Sequence, residues 1–304
     1  MGVSTMWHEG IASRLRSRAA PVEVPGHPNA AALLFRTGPL HAAAPAPAPT
    51  DAPPPSCSPC VVLYHGGGND RIFGFGYVIE RLLDSGFCVL TGHLSGHGAG
   101  GSDLFTLDNV RSRVDALLTL ARCLVEERSG EVVVLGQSLG GSFALDQWLR
   151  GVRADRLVTV SAPTAIPRHM ELLREAGCLL GTAAWRAMLY GGPLKALPAY
   201  RGFRRDDFPV RVPPGLHYVK AFAAAVESLD LVRRVASEGP RDGSCPLLLV
   251  HGVRDGVIPV SQAQDLAAAL SNRATVRLLP RLHHLDPLLD RETVTAIVQW
   301  MRAT

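Results

Sequence analysis

The sequence predicts an α/β fold, a mostly parallel sheet doubly wound by helices on both faces. Three observations lead to it. Short β-branched, apolar runs (60–64, 86–90, 131–135, 156–160, 245–251 and 275–279) alternate with stretches of helical spacing or length, the order that builds parallel sheets through crossover connections. Two of these runs stop at glycine-rich turns, Gly66-Gly67-Gly68 and Gly136-Gln137-Ser138-Leu139-Gly140. Residues able to do chemistry together (Ser138, Asp255 and His284) each follow a different strand. In a parallel sheet that places them beyond the carboxyl ends, where such folds bind ligands.

Composition bounds the answer. At 304 residues and 47% hydrophobic, the chain can bury one large core or two small ones. A net charge of +4, with Lys and Arg scattered, gives no footprint for nucleic acid. Six cysteines in so long a chain are too sparse for a disulfide scaffold, so a reducing, cytoplasmic home is expected. Cys57-Ser-Pro-Cys60 has the spacing of a redox or metal pair, but no second Cys or His pair accompanies it. No run approaches the roughly 18 apolar residues of a membrane span, and the first residues lack a signal peptide's apolar stretch.

Trp7, Ile11 and Leu15 recur at helical spacing, which makes residues 1–20 an N-terminal helical extension. Pro21–Pro25 and Ala31–Phe35 read as an antiparallel hairpin turned by Gly26-His27-Pro28. Residues 39–55, rich in Pro and Ala, cannot supply sheet hydrogen bonds and form an extended surface loop. The core begins with Cys60–His65, a buried-strand pattern running into three glycines that bring backbone N–H groups close to a ligand. Tyr77–Asp84 is a helix, Gly86–Leu90 a strand, and 92–102 a glycine loop holding His93 and His97. Val110, Val114, Leu117, Leu118, Ala121, Leu124 and Val125 mark one face of a long helix.

At Glu131–Ala144 a β-branched run stops at Gly136 and a helix-forming run starts just past Ser138. Glycines two residues either side of the serine leave room for a sharp, strained turn that exposes its hydroxyl. The N-terminus of the following helix would meet any anionic charge formed there. Strand Arg156–Val160 follows, and then the alternation breaks from 163 to 243, where helical stretches (Met170–Leu180, His217–Val235) lie between prolines. Cys245–His251 is the next strand, leading to Asp255, and Thr275–Leu279 leads to His283 and His284. Helix Glu292–Met301 closes the chain.

Gly136-x-Ser138-x-Gly140, the upstream His65-Gly66-Gly67-Gly68, and an acid and then a histidine after later strands together resemble the α/β-hydrolase family. His251, Gly252, Asp255 and Pro259 match its His-Gly-x-x-Asp-x-x-x-Pro pattern, and the loop at 92–102 is similar to the one after its fourth strand, with His93 where many members carry Asp. The resemblance implies an α/β-hydrolase sheet in two parts, 21–162 and 244–304, with a helical cap at 163–243 inserted after the sixth strand. Apolar cap residues such as Leu173, Trp185 and Phe203 would then line an acyl pocket or fill the core beneath it.

The resemblance also implies the chemistry. Ser138 is the nucleophile, His284 its base with His283 as the alternative, and Asp255 the acid ahead of Asp286 and Asp290. A serine hydroxyl needs such a base, and the base an orienting acceptor. Leu139 N–H and Gly67 N–H would form the oxyanion hole, each donor of this kind being worth about 2.7–4 kcal/mol. The expected function is a serine hydrolase cleaving a carboxylic ester or related acyl compound of small size through an acyl-enzyme, with no cofactor and no metal. An acyltransferase or pathway thioesterase would use the same triad. A non-catalytic ligand-binding protein would not need all three residues. Oligomeric state, acyl chain length and physiological substrate are not encoded in these patterns.

Overall fold

The computed structural model describes residues 14–15, 17–37, 59–67, 75–97, 105–125, 130–152, 154–165, 224–238 and 245–303. Within them one eight-stranded sheet runs β1 (Ala19–Val24), β2 (His27–Phe35), β4 (Cys88–Gly92), β3 (Cys60–Tyr64), β5 (Val132–Gln137), β6 (Arg156–Val160), β7 (Leu247–Gly252), β8 (Thr275–Leu279). The six strands β3 to β8 are mutually parallel. The hairpin β1–β2 lies against β4 with β2 antiparallel to it; it turns at Pro25-Gly26, and His27 and Pro28, which the sequence places in the turn, already belong to β2.

Every residue of β3, β4, β5 and β7 is buried, which explains their unbroken apolar runs: both faces of these strands are covered. Successive side chains point to opposite faces, and the core divides accordingly. On one side Val62, Val134, Leu157 and Leu249 pack with residues of α2 (Leu107–Val125), α3 (Leu139–Leu149) and α5 (Val260–Leu270). On the other, Val61, Val133, Val158 and Leu248 pack with α1 (Gly76–Asp84) and α6 (Arg291–Arg302). The sheet is doubly wound. The edge strand β8 has exposed residues at 275–277.

Two differences from the sequence reading have physical causes. No element was expected at 260–270, where α5 forms with Ala263, Leu266 and Leu270 buried at helical spacing. The helix expected over 217–235 is interrupted among the described residues. Residues 224–229 are helical, Asp230 adopts the left-handed conformation (φ 42°, ψ 47°), and α4 (Leu231–Ser237) starts beyond it. Aspartate tolerates that conformation better than most residues.

The apolar cap candidates, the helix expected at 170–180, the loop 39–55 and Cys57 lie outside the described residues. What is described shows how the chain leaves and rejoins the core. Ser142 Oγ donates to the Pro163 carbonyl at 2.6 Å, and Gln262 Oε1 accepts the Thr164 and Ala165 N–H groups. At the return, Arg234 of α4 donates to Asp146 of α3 at 2.7 Å. That carboxylate, fully buried, also accepts from Arg111 and Arg150. Burial opposes its charge, but the hydrogen bonds from Arg111 and Arg234 outweigh it and hold the carboxyl below its ordinary pKa. No helix among the described residues is long and apolar enough to cross a membrane.

Candidate active site

Ser138 sits between β5 and α3 with φ 50° and ψ −124°, a backbone conformation that strains any residue but glycine. The neighbouring chain holds it there. Its N–H donates to the Val160 carbonyl at 2.8 Å, and its own carbonyl accepts from Gly141 and Ser142. The flanking glycines are required by close approach. A Cβ on Gly136 would lie 2.4 Å from the Gly140 carbonyl oxygen, and one on Gly140 would lie 2.2 Å from that of Tyr64. The elbow therefore presses the start of α3, and with it Leu139, against the exit of β3 that leads to Gly67.

Asp255 follows β7 with its side chain buried. One carboxylate oxygen accepts the Val257 and Ile258 N–H groups at 2.8 Å each, and the other accepts His284 Nδ1–H at 2.7 Å. Burial works to raise its pKa, but the hydrogen bond from His284 and the two backbone donors prevail and keep it below the ordinary carboxylate range. His251, at the end of β7, donates from Nε2 to the Ile258 carbonyl and lies 3.5 Å from the same Asp255 oxygen. Burial pushes its pKa down and favours the neutral ring.

The structure brings His284, not His283, to Asp255. The segment after β8 is stitched to the β7 loop: Val253 N–H donates to the Leu279 carbonyl and Arg254 N–H to that of Leu282. Gly252 permits this, since a Cβ there would lie 2.3 Å from the Leu282 oxygen. His283 is exposed, and its N–H donates to Asp286. Asp290 caps α6 by accepting from the Thr293 N–H and hydroxyl. Local structure thus occupies both alternative carboxylates.

The glycine loops are tied through His65. Its Nε2 accepts the Leu94 N–H at 2.9 Å, so Nδ1 carries the proton and donates to the Gly66 carbonyl. His97 packs edge-on against it with ring centroids 4.9 Å apart. Gly67 is exposed at the end of the described part of its loop.

Ser138 is not joined to His284 by a hydrogen bond among the described residues. The partner of His284 Nε2 is the carboxamide nitrogen of Gln137, at 3.2 Å. Gln137 lies within the sequence pattern of the elbow, which assigns it no role. Its one local signal is its place immediately before the serine, because nothing local announces a partner 147 residues away.

Residues 60–297 match the model of the alpha/beta hydrolase family. Among solved structures, the chain is similar to a soluble variant of monoglyceride lipase from Saccharomyces cerevisiae in complex with a substrate analog, with 14% identity and a TM-score of 0.65 over 93% of this chain and 94% of that one. An esterase from Pyrococcus furiosus is similar at 16% identity and TM-score 0.64, covering 95% of this chain and 92% of its own. The monoacylglycerol lipase of Paleococcus ferrophilus shares 20% identity at TM-score 0.57, over 81% of this chain and 96% of its own. At such identities the likeness shows the fold.

Proposed function

The chain belongs to the alpha/beta hydrolase family and is a hydrolase, and from that premise we propose that it cleaves a carboxylic ester or related small acyl compound through Ser138, His284 and Asp255. The observation that carries this reading is the Asp255–His284 pair, 2.7 Å apart, on the same carboxyl edge of the sheet as the strained Ser138. An ionised Asp255 keeps the proton on Nδ1 and leaves Nε2 as the base. His284 takes the hydroxyl proton as Ser138 attacks the acyl carbon. Leu139 N–H and Gly67 N–H receive the oxyanion, and His284 returns the proton to the leaving group. Water, activated by the same nitrogen, then releases the acid. No cofactor enters this cycle.

The sheet takes β1–β6 from before residue 163 and β7–β8 from after 243, which supports a core in two parts around an inserted cap. Cys123 and Cys245 are free thiols, and six cysteines in 304 residues are too sparse for a disulfide scaffold, which supports a cytoplasmic location.

Fluorophosphonate labelling followed by peptide mass mapping tests the mechanism. The adduct is expected on Ser138 and absent in Ser138→Ala and His284→Ala, with turnover of acyl esters or thioesters lost in parallel. Absence of adduct on the folded wild type, or turnover surviving in Ser138→Ala, overturns it.

A further inference from the structure

We propose that Gln137 is a positioning residue for His284, its carboxamide N–H capping the ring nitrogen that Ser138 must use as base. The inference rests on the serine-hydrolase reading above. The two contacts of the imidazole decide its proton. Nδ1 faces a carboxylate oxygen at 2.7 Å, which can only accept, so the proton sits on Nδ1 and Nε2 carries a lone pair. The atom 3.2 Å from that lone pair is an amide nitrogen, which can only donate. Both contacts describe the same neutral ring.

The cap cannot drift away. Gln137 is 1% exposed, and its backbone is locked in β5 opposite Val160. It is also the residue before the nucleophile, so the donor that occupies the base and the hydroxyl that needs it are carried by one turn of chain. Proton transfer from Ser138 therefore begins with an exchange at Nε2, in which Gln137 gives up the lone pair and the serine hydroxyl takes it. Gln137 holds the ring ready in the correct tautomer while restraining the resting base.

Two variants of similar length separate this from a packing role. Gln137→Met removes the donor, and the second-order rate constant for fluorophosphonate capture of Ser138 is expected to rise about 2–10-fold, the worth of one neutral hydrogen bond. Gln137→Glu replaces the donor by an acceptor that only a protonated ring can satisfy, and capture is expected to fall below wild type. A side chain that merely fills space would lower the rate in both variants or in neither, and either result overturns the proposal. Nitrogen-15 NMR of histidine-labelled protein in a Ser138→Ala background adds a readout independent of catalysis: the His284 Nε2 resonance must move on Gln137→Met. If it stays in place while wild type labels at Ser138, the cap is wrong and the hydrolase reading stands. If it moves while Ser138 of the otherwise wild-type protein never labels, the cap stands and the hydrolase reading fails.

Discussion

Acidification should destabilise this fold through His97 by an amount the structure allows one to work out. The ring is 3% exposed, set edge-on to His65 at 4.9 Å and to Phe105 at 5.8 Å, with Nδ1–H donating to the Ser95 carbonyl at 3.1 Å. Burial penalises the charged ring and outweighs the Ser95 and Leu94 backbone groups, pushing its pKa from 6.5 to about 4. The folded value lies below the unfolded one, so between the two the unfolded chain holds more protons and stability rises with pH. The contribution is complete above the unfolded pKa and is lost as pH falls toward the folded one. At about 1.4 kcal/mol per unit the total is about 3 kcal/mol, of which roughly 2 kcal/mol is gone between about pH 7.5 and about pH 5. Urea unfolding followed by tryptophan fluorescence, for wild type and His97→Gln at several pH values, measures it. His251, also depressed by burial, acts in both proteins and cancels in the comparison. Wild type should lose roughly 2 kcal/mol more than the variant over that interval. Equal losses would show that His97 does not stay neutral in the fold and would refute the reasoning.

Gly140→Ala drives a Cβ to 2.2 Å from the Tyr64 carbonyl oxygen, a backbone atom that cannot swing aside, and should cost at least about 3 kcal/mol, read as a fall in Tm by circular dichroism. Asp146→Asn takes the carboxylate away from Arg111, Arg150 and Arg234 and should destabilise by about 3–5 kcal/mol in urea unfolding. The stability that the depressed Asp146 pKa contributes is present above the ordinary carboxylate pKa and disappears as pH falls through the lower folded value, so the Asn variant should show a shallower acid limb. Gly252→Ala pushes the Leu282 carbonyl, 2.3 Å from the new Cβ, off the acid loop and displaces His284 from Asp255. It should slow fluorophosphonate capture by about 100-fold or more, with a smaller fall in Tm than Gly140→Ala.

Much of the molecule was legible along the chain because its causes are local. The apolar runs that became β3, β5 and β7 are continuous since both faces of the strands are covered, and the two sheet-spanning cores follow from alternation alone. The break at Asp230 and the helix α5 were less legible: one rests on a single backbone angle, and the other on a short stretch with three buried positions, Ala263, Leu266 and Leu270, in the core that holds α4 and one face of the sheet.

By itself the sequence determined the elbow around Ser138, because Gly136 and Gly140 are four residues apart and must clear each other and the β3 exit within a single strand–turn–helix unit. It determined the sheet class and the loop of Asp255 for the same reason, that short-range sterics and burial set them. The tertiary structure decided which histidine meets that aspartate and what stands at the histidine's other nitrogen. Those outcomes depend on the backbone bonds that stitch the segment after β8 to the loop after β7, and on a side chain of β5 facing His284 across the sheet edge. Contacts between segments so distant in sequence follow from how strands line up in the sheet, and no local pattern records that alignment.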